Sequence, residues 1–222
     1  MINLKLITSR KDIYIPAGLL LFIATFSTLI PYLSPYSSDI AGAVHFEIGP
    51  QPPSFKHLFG TDIAGRDMFT LTIAAGATSL KVAAGVVFIS MIIGVPLGLI
   101  AGVKGGMPDH IIMRVSDGFL AFPPLILPVA ITAALGPSLN NIIIGIAISW
   151  FPWYVRISRS QSMVISTMDY VLISRWLGGS NFHIIIKHIL PNILSPIIIQ
   201  ASIDAGYAIL VSAGLSFIGL GV

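Results

Sequence analysis

The sequence predicts an all-α, polytopic membrane protein, and three observations carry that expectation. Hydrophobic residues make up 55% of the 222 positions and charged residues only 9%, against roughly 25% charged in an ordinary soluble domain. Long charge-free stretches recur, Val82 to Val103 being the clearest, and in lipid such a stretch must be helical because only a helix satisfies its own backbone. Finally, Lys and Arg are distributed unevenly around those stretches.

Five segments are candidates to cross a bilayer: 13–31, Val82–Val103, Phe119–Leu135 with a more polar extension back toward Pro108, Asn141–Val155, and Ile189–Val211. The first measures about 28 Å as a helix, close to the ~30 Å hydrocarbon thickness. It follows Lys5, Arg10 and Lys11, as a secretory signal would. Its apolar run exceeds the usual signal core and no small-x-small site follows, so it is read as an uncleaved span. Counting Lys and Arg orients the chain. With the N-terminus inside, Lys5, Arg10, Lys11, Lys104, Arg114, Arg156, Arg159, Arg175 and Lys187 fall on the inner side; only Lys56, Arg66 and Lys81 fall outside. The expected organisation is therefore a cytoplasmic N-terminus at 1–12, a first transmembrane helix at 13–31, an external segment at 32–81 rich in Pro, Ser and acidic residues, and a core at 82–222. The core includes a cytoplasmic polar insert at 160–190.

Several function classes are excluded by composition. There is no cysteine, hence no disulfide or thiol chemistry. Basic residues are scattered rather than clustered, which argues against nucleic acid. Gly98 to Lys104 misses the spacing of a phosphate-binding loop. His45, His57, His110, His183 and His188 show no ligand spacing, and no nucleophile–base or paired-carboxylate arrangement stands out, so neither a metal, a cofactor nor an enzyme is expected.

What remains is a set of membrane-type motifs. Gly94, Gly98 and Gly102 recur every fourth residue in the second span, a pattern that lets two helix backbones approach closely. Pro96 in the same stretch should bend it. Asp109, Arg114 and Asp117 cluster at the inner start of the third span, where Arg114 and Asp117 can pair on one helix face; they are gate or partner-contact candidates. Pro123, Pro124 and Pro128 should open that span locally. Asp204, with Gln200 one turn before it, is an ionisable group at membrane depth and hence a pathway candidate.

The insert is the most informative stretch. Ser166 or Thr167 can cap a short helix whose first turn holds Asp169, and Gly178-Gly179 can end it. Tyr170, Val171, Trp176 and Leu177 give it an apolar side, suited either to lying on lipid or to a groove in a soluble partner. A second short helix runs through Lys187 and His188, and Pro191 should break it before the last span.

The order of motifs resembles the inner-membrane permease subunits of binding-protein-dependent ABC importers, in particular the dipeptide/oligopeptide/nickel group. The resemblance rests on Gly60-Thr61-Asp62 through Gly65-Arg66-Asp67, Gly94-Val95-Pro96-Leu97-Gly98, Gly106-Met107-Pro108-Asp109, Met113-Arg114 with Asp117, and Leu135-Gly136-Pro137-Ser138. It continues through Leu177-Gly178-Gly179-Ser180, His188-Ile189-Leu190-Pro191-Asn192 and Ser216-Phe217-Ile218-Gly219-Leu220-Gly221, so it covers nearly the whole chain.

The resemblance implies a bundle of the type I importer permease kind in a prokaryotic cytoplasmic membrane. It also implies several partners: a second homologous permease, two cytoplasmic ATPase subunits and an external solute-binding protein. The chain would form half of a pathway for peptides or similar small solutes, nickel among them, with ATP hydrolysis on the separate subunits. The insert becomes the coupling element that docks on an ATPase, carried by Asp169, Tyr170, Arg175, Leu177, Gly178 and Ser180. Two departures stand out. The family pattern has Glu-Ala-Ala before the arginine, where this chain has Leu172-Ile173-Ser174. Members also continue past the Gly-Leu-Gly motif into a sixth, C-terminal span, which is absent here, so the chain is read as truncated. The rival readings are a self-sufficient ion-coupled carrier or channel using Asp204, and a non-transporting remnant of such a permease.

Overall fold

A computed structural model describes residues 11–221; positions 1–10, with Lys5 and Arg10 of the expected N-terminal segment, and Val222 lie outside them. The described residues are mainly helical, with one isolated bridge between Thr61 and Asp67 and no strand. They form two compact units, Met1–Lys81 and Val82–Val222.

In the first unit, α1 (Lys11–Leu33) is followed by a single turn, α2 (Ser37–Ile40), and an irregular segment. Thr25 and Thr28 turn their hydroxyls back onto the Leu21 and Ala24 carbonyls, so their polar atoms are satisfied within the helix. The irregular segment is held by buried carboxylates. Asp39 accepts from the Asp67 N–H at 2.8 Å and meets His45 Nε2 at 3.1 Å. Asp67, itself buried, meets His57 Nδ1 at 3.0 Å and accepts from both the backbone and the hydroxyl of Thr70, at 2.8 and 2.7 Å. Burial alone would raise the Asp67 pKa, but the bonds from Thr70 and His57 outweigh it and leave the carboxyl below its ordinary value. Asp62 is likewise lowered, chiefly by the Arg66 N–H and, further, by the Arg66 guanidinium.

Asp67 is thereby the N-cap of α3 (Met68–Lys104). The helix starts well before the Val82 expected for the second span. Lys81 interrupts the hydropathy, but it does not interrupt the helix, because Met68 to Leu80 contains neither proline nor any pair of adjacent glycines. Close packing supports this early part: a Cβ on Gly76 would meet Ser27 Oγ of α1 at 2.6 Å, and Ser34 and Thr70 share a hydrogen bond of 2.7 Å.

The second unit contains α3 from Val82 onward, α4 (Gly106–Leu120), α5 (Ile126–Leu135), α6 (Leu139–Ser166), α7 (Asp169–Trp176), α8 (Asn181–Ile184) and α9 (Leu190–Leu215). The expected third span is in fact two helices, α4 and α5, separated at Ala121–Leu125, where Pro123 and Pro124 supply no N–H to continue the ladder. A short turn then reverses the chain. Ser138 caps α6 by accepting from the Asn141 N–H at 3.1 Å, and the Asn141 amide donates to the Leu135 and Gly136 carbonyls, both at 2.9 Å. Gly145 lets α6 approach α5: a Cβ there would stand 2.5 Å from Thr132 Oγ1.

The glycine stripe of α3 packs on α6. A Cβ added to Gly94 would lie 2.5 Å from Tyr154 Cβ, one on Gly98 2.7 Å from Ser158 Cβ, and one on Gly102 2.6 Å from Ser162 Cβ. The register advances together along both helices, so they run parallel. Ser90 adds a bond to the Ala147 carbonyl at 3.2 Å. Two apolar clusters flank this seam. One gathers Val95, Leu99, Tyr154, Ile165, Val171, Ile184, Ile189 and Ile193; the other gathers Val82, Val86, Ile142, Ile146, Trp150, Ala208 and Val211.

Pro191 does not break the chain where a break was expected. α8 passes through a wide i→i+5 turn at Ile185–Ile189 straight into α9, placing Pro191 in the first turn of α9, next to a wide turn that already departs from the regular i→i+4 ladder. Among the described residues, three helical stretches are long and apolar enough to cross a membrane: Tyr14–Leu33, Met68–Lys104 and Asn181–Leu220. Of the other expected spans, α6 is long enough at 28 residues, but Asn140, Asn141, Arg156 and Arg159 dilute its hydropathy, and the third is divided between α4 and α5.

Candidate functional site

α7 is a short amphipathic helix with a single buried side chain, Val171. Its N-cap is Met168, in extended conformation and without a side-chain cap bond. The expected caps do other work: Ser166 is the last residue of α6, and Thr167 Oγ1 donates to the Val164 carbonyl at 2.8 Å. Asp169 begins the helix, where a carboxylate faces the positive dipole end, and Arg175 lies in its last turn. Of the four residues on the expected apolar side, only Val171 is buried. Trp176 and Leu177 are 87% and 84% exposed, and Tyr170 is partly exposed as well.

The end of α7 is the double-bonded glycine cap. The Gly179 N–H reaches the Ser174 carbonyl at 2.9 Å and the Gly178 N–H reaches the Arg175 carbonyl at 3.1 Å. Gly178 has φ +87°, with open space around it, so conformation rather than room demands glycine there. Gly179 is constrained differently, since a Cβ would come 2.7 Å from the Ser174 carbonyl. Ser180 then caps α8 by accepting from the His183 N–H at 3.2 Å. Tyr170 is steadied from α9: Asn192 donates to its hydroxyl at 3.4 Å, and its ring lies 5.9 Å from that of His188. The sequence puts Val171 on one apolar side with Trp176 and Leu177, and only burial separates it from them; the role of Ser174 depends on the cap geometry.

The charged cluster is wired across helices rather than along one. Asp109 of α4 receives a two-pronged bond from Arg159 of α6, Nη2 to Oδ2 measuring 2.6 Å. Asp117 pairs with Arg156 at 2.7 Å. The expected Arg114–Asp117 pair does not form; Arg114 is exposed and joins no ion pair among the described residues. The longer reach of arginine across the α4–α6 contact wins over the i,i+3 spacing.

Asp204 and Gln200 do come together, at 2.8 Å. Tyr154 of α6, fully buried, is the neighbour of Asp204 on that helix. Elsewhere in this unit a cleft of about 490 Å³ is lined by Pro96, Leu99, Phe182, Ile186, Leu194 and Ile197 among other apolar residues. Nothing in that lining could hold a polar solute. No group of three or more metal-ligating side chains occurs among the described residues.

An all-α bundle with apolar helices of membrane length, a glycine-packed seam and an exposed apolar helix beside it defines a multi-pass membrane protein. Residues 94–222 match the family described as "Binding-protein-dependent transport system inner membrane component", and the chain belongs to that family. It is 43% identical over 203 residues to the "Probable D,D-dipeptide transport system permease protein DdpC" of Escherichia coli, covering 91% of this chain and 66% of the relative. It is 45% identical over 171 residues to the "Dipeptide transport system permease protein DppC" of Alkalihalophilus pseudofirmus, covering 77% and 56%. It is 34% identical over 215 residues to the "Glutathione transport system permease protein GsiD" of Pectobacterium atrosepticum, covering 96% and 70%. The chain thus spans between 56% and 70% of the length of these curated relatives.

Proposed function

We propose that this chain acts as a permease subunit of an ATP-driven importer, forming half of the pathway for peptides or similar small solutes delivered by an external binding protein. Its partners are a second homologous permease and two cytoplasmic ATPases, which carry the hydrolysis; the chain itself is not an enzyme. The observation that carries this reading is α7: a helix with Trp176 and Leu177 almost fully exposed, closed by a left-handed glycine and anchored through Val171. An exposed aromatic–aliphatic pair on a rigid, capped helix suits a groove in a soluble partner. Family membership supplies the partner's class.

The anchoring suggests how force is passed on. Val171 lies in the same apolar cluster as Leu99 of α3, Tyr154 of α6 and Ile193 of α9. A partner that holds α7 differently in two states therefore biases three long helices at once, which is the differential contact that coupling requires. Asp169, Tyr170, Arg175, Leu177, Gly178 and Ser180 belong to this docking element, and α7 faces the cytoplasm with the N-terminus on the same side. In this reading Asp109 and Asp117 with their α6 partners, and Arg114 beside them on α4, act near the inner gate, and Gln200 and Asp204 line the pathway. Leu172-Ile173-Ser174, where the family pattern is acidic, leaves the docking contact mainly apolar.

The test is Gly178→Val in the assembled complex. A β-branched residue resists φ +87°. The expected outcome is retained co-purification of the two permeases with loss of ATP-driven dipeptide uptake. Undiminished uptake would show that the Gly178 turn is not part of the coupling element.

A further inference from the structure

The wide turn between α8 and α9 is bordered by two clefts of opposite character. The apolar one, about 490 Å³, is walled by Ile92, Pro96 and Leu99 of α3 and by Leu194 and Ile197 of α9. Beside it lies a second, of about 610 Å³, lined by Phe182, His183, Ile186, Lys187 and Pro191. Phe182 and Ile186 belong to both linings, so the clefts adjoin along those two exposed side chains.

Charge separates them. No ionisable side chain lines the first cleft. The second carries the Lys187 ammonium and the His183 ring, both exposed, and no carboxylate. Lys187 joins no ion pair among the described residues, so its charge is open to a ligand. His183 adds a donor, because even a neutral imidazole carries one N–H. Position agrees with this chemistry. Lys and Arg placement sets Lys187 on the inner side, where acidic lipid headgroups attract basic side chains and fill basic pockets between spans. Along α3 the apolar lining runs from Ile100 back to Phe88. That is about 18 Å of helix, close to the ~15 Å that one leaflet contributes to a ~30 Å hydrocarbon core.

We propose that the two clefts together bind one acidic phospholipid of the inner leaflet. An acyl chain lies between α3 and α9, and the phosphate sits against Lys187, with His183 donating a further hydrogen bond. The ligand must be both charged and apolar. A small free anion would leave the apolar cleft unused, and an uncharged hydrophobe would leave Lys187 unanswered. The site goes beyond the importer reading and does not depend on which solute the chain carries.

The test puts p-benzoyl-phenylalanine in place of Phe182, where the clefts meet, in the assembled complex. The nanodiscs hold equal parts of phosphatidylglycerol and phosphatidylcholine with matched acyl chains. After illumination, mass spectrometry of this chain should find phosphatidylglycerol adducts about fivefold above phosphatidylcholine adducts, the enrichment that one lysine beside an acidic headgroup supplies. Lys187→Gln should bring that ratio to about one while adducts still form. Ile92→Trp, which puts an indole into the apolar cleft, should reduce the adducts of both lipids. Equal adducts of the two lipids in the parent protein, adducts to a second protein chain, or no adduct at all overturn the proposal. If the labelled chain does not assemble, the unsubstituted complex decides. Native mass spectrometry should show retained phosphatidylglycerol that Lys187→Gln diminishes, and unchanged retention in that variant overturns the site. Uptake is not the readout, so failure here leaves the importer reading untouched.

Discussion

At the residue scale, Asp67 shows how one side chain can join several demands. It caps α3, pairs with His57, and receives its own backbone support from Asp39. Its pKa is held below the ordinary 3.8, so by linkage the carboxylate stabilises the fold above that value and the stabilisation is lost as pH falls through the lowered one. A thermal-unfolding series should therefore show no contribution from Asp67 to pH dependence between pH 7 and about 5, and a decline only as the medium approaches and passes below the ordinary carboxylate range. Asp67→Asn should lower the neutral-pH midpoint and flatten that acid decline; an unchanged acid limb would remove Asp67 from the account. Gly98 offers a second test. Its added side chain would meet Val155 and Ser158 backbone and Cβ atoms, which cannot rotate away. Gly98→Val should destabilise the α3–α6 seam by about 1–3 kcal/mol or more, read as a lower unfolding midpoint in detergent. Gly118→Ala, with open space at the Cβ, should change little beyond the helix-propensity gain.

At the element scale, α4 is fastened to α6 by two ion pairs of unequal worth. Asp109 and Arg159 have side chains only 15% and 28% exposed and meet through two bonds, while Asp117 and Arg156 are 46% and 47% exposed and meet through one. Double-mutant cycles should accordingly give a coupling of about 1.5–3 kcal/mol for the first and under about 1 kcal/mol for the second. Equal couplings would mean that solvent screening does not separate the two sites. The α7 anchor is also testable as an element. Val171→Ala should cost about 1–3 kcal/mol locally by leaving a cavity and should reduce coupling between ATP hydrolysis and uptake, while Trp176→Ala should weaken association with the ATPase without lowering the chain's own stability. The element boundaries were the least legible part of the sequence. Hydropathy placed the second span's start at Val82 because Lys81 interrupts it, yet the backbone only needs the Asp67 cap to begin at Met68. Pro191 read as a breaker because linear sequence carries no sign that a wide turn precedes it.

At the scale of the whole molecule, orientation remains the most direct prediction. The chain has no cysteine, so single cysteines can be introduced without background. A cysteine at the exposed Leu177 should react with an impermeant thiol reagent only from the cytoplasmic side, and one at the exposed Phe55 only from the opposite side. Labelling of both from one face would reverse the topology derived from Lys and Arg placement.

The sequence alone determined that the chain is a helical membrane protein, which family it resembles, that Gly94, Gly98 and Gly102 form a packing face, and that Gly178 ends a short exposed helix. These follow from properties that are local along the chain: mean apolarity, a four-residue spacing, and the conformational freedom of glycine. Only the tertiary structure decided that the glycine face meets Tyr154, Ser158 and Ser162, that Arg159 and Arg156 rather than Arg114 answer the two aspartates, and that Asp204 neighbours the buried Tyr154. Each of these is a contact between helices distant in sequence, and which side chains meet there depends on the relative rotation and register of two helices, a quantity that no spacing within either one encodes.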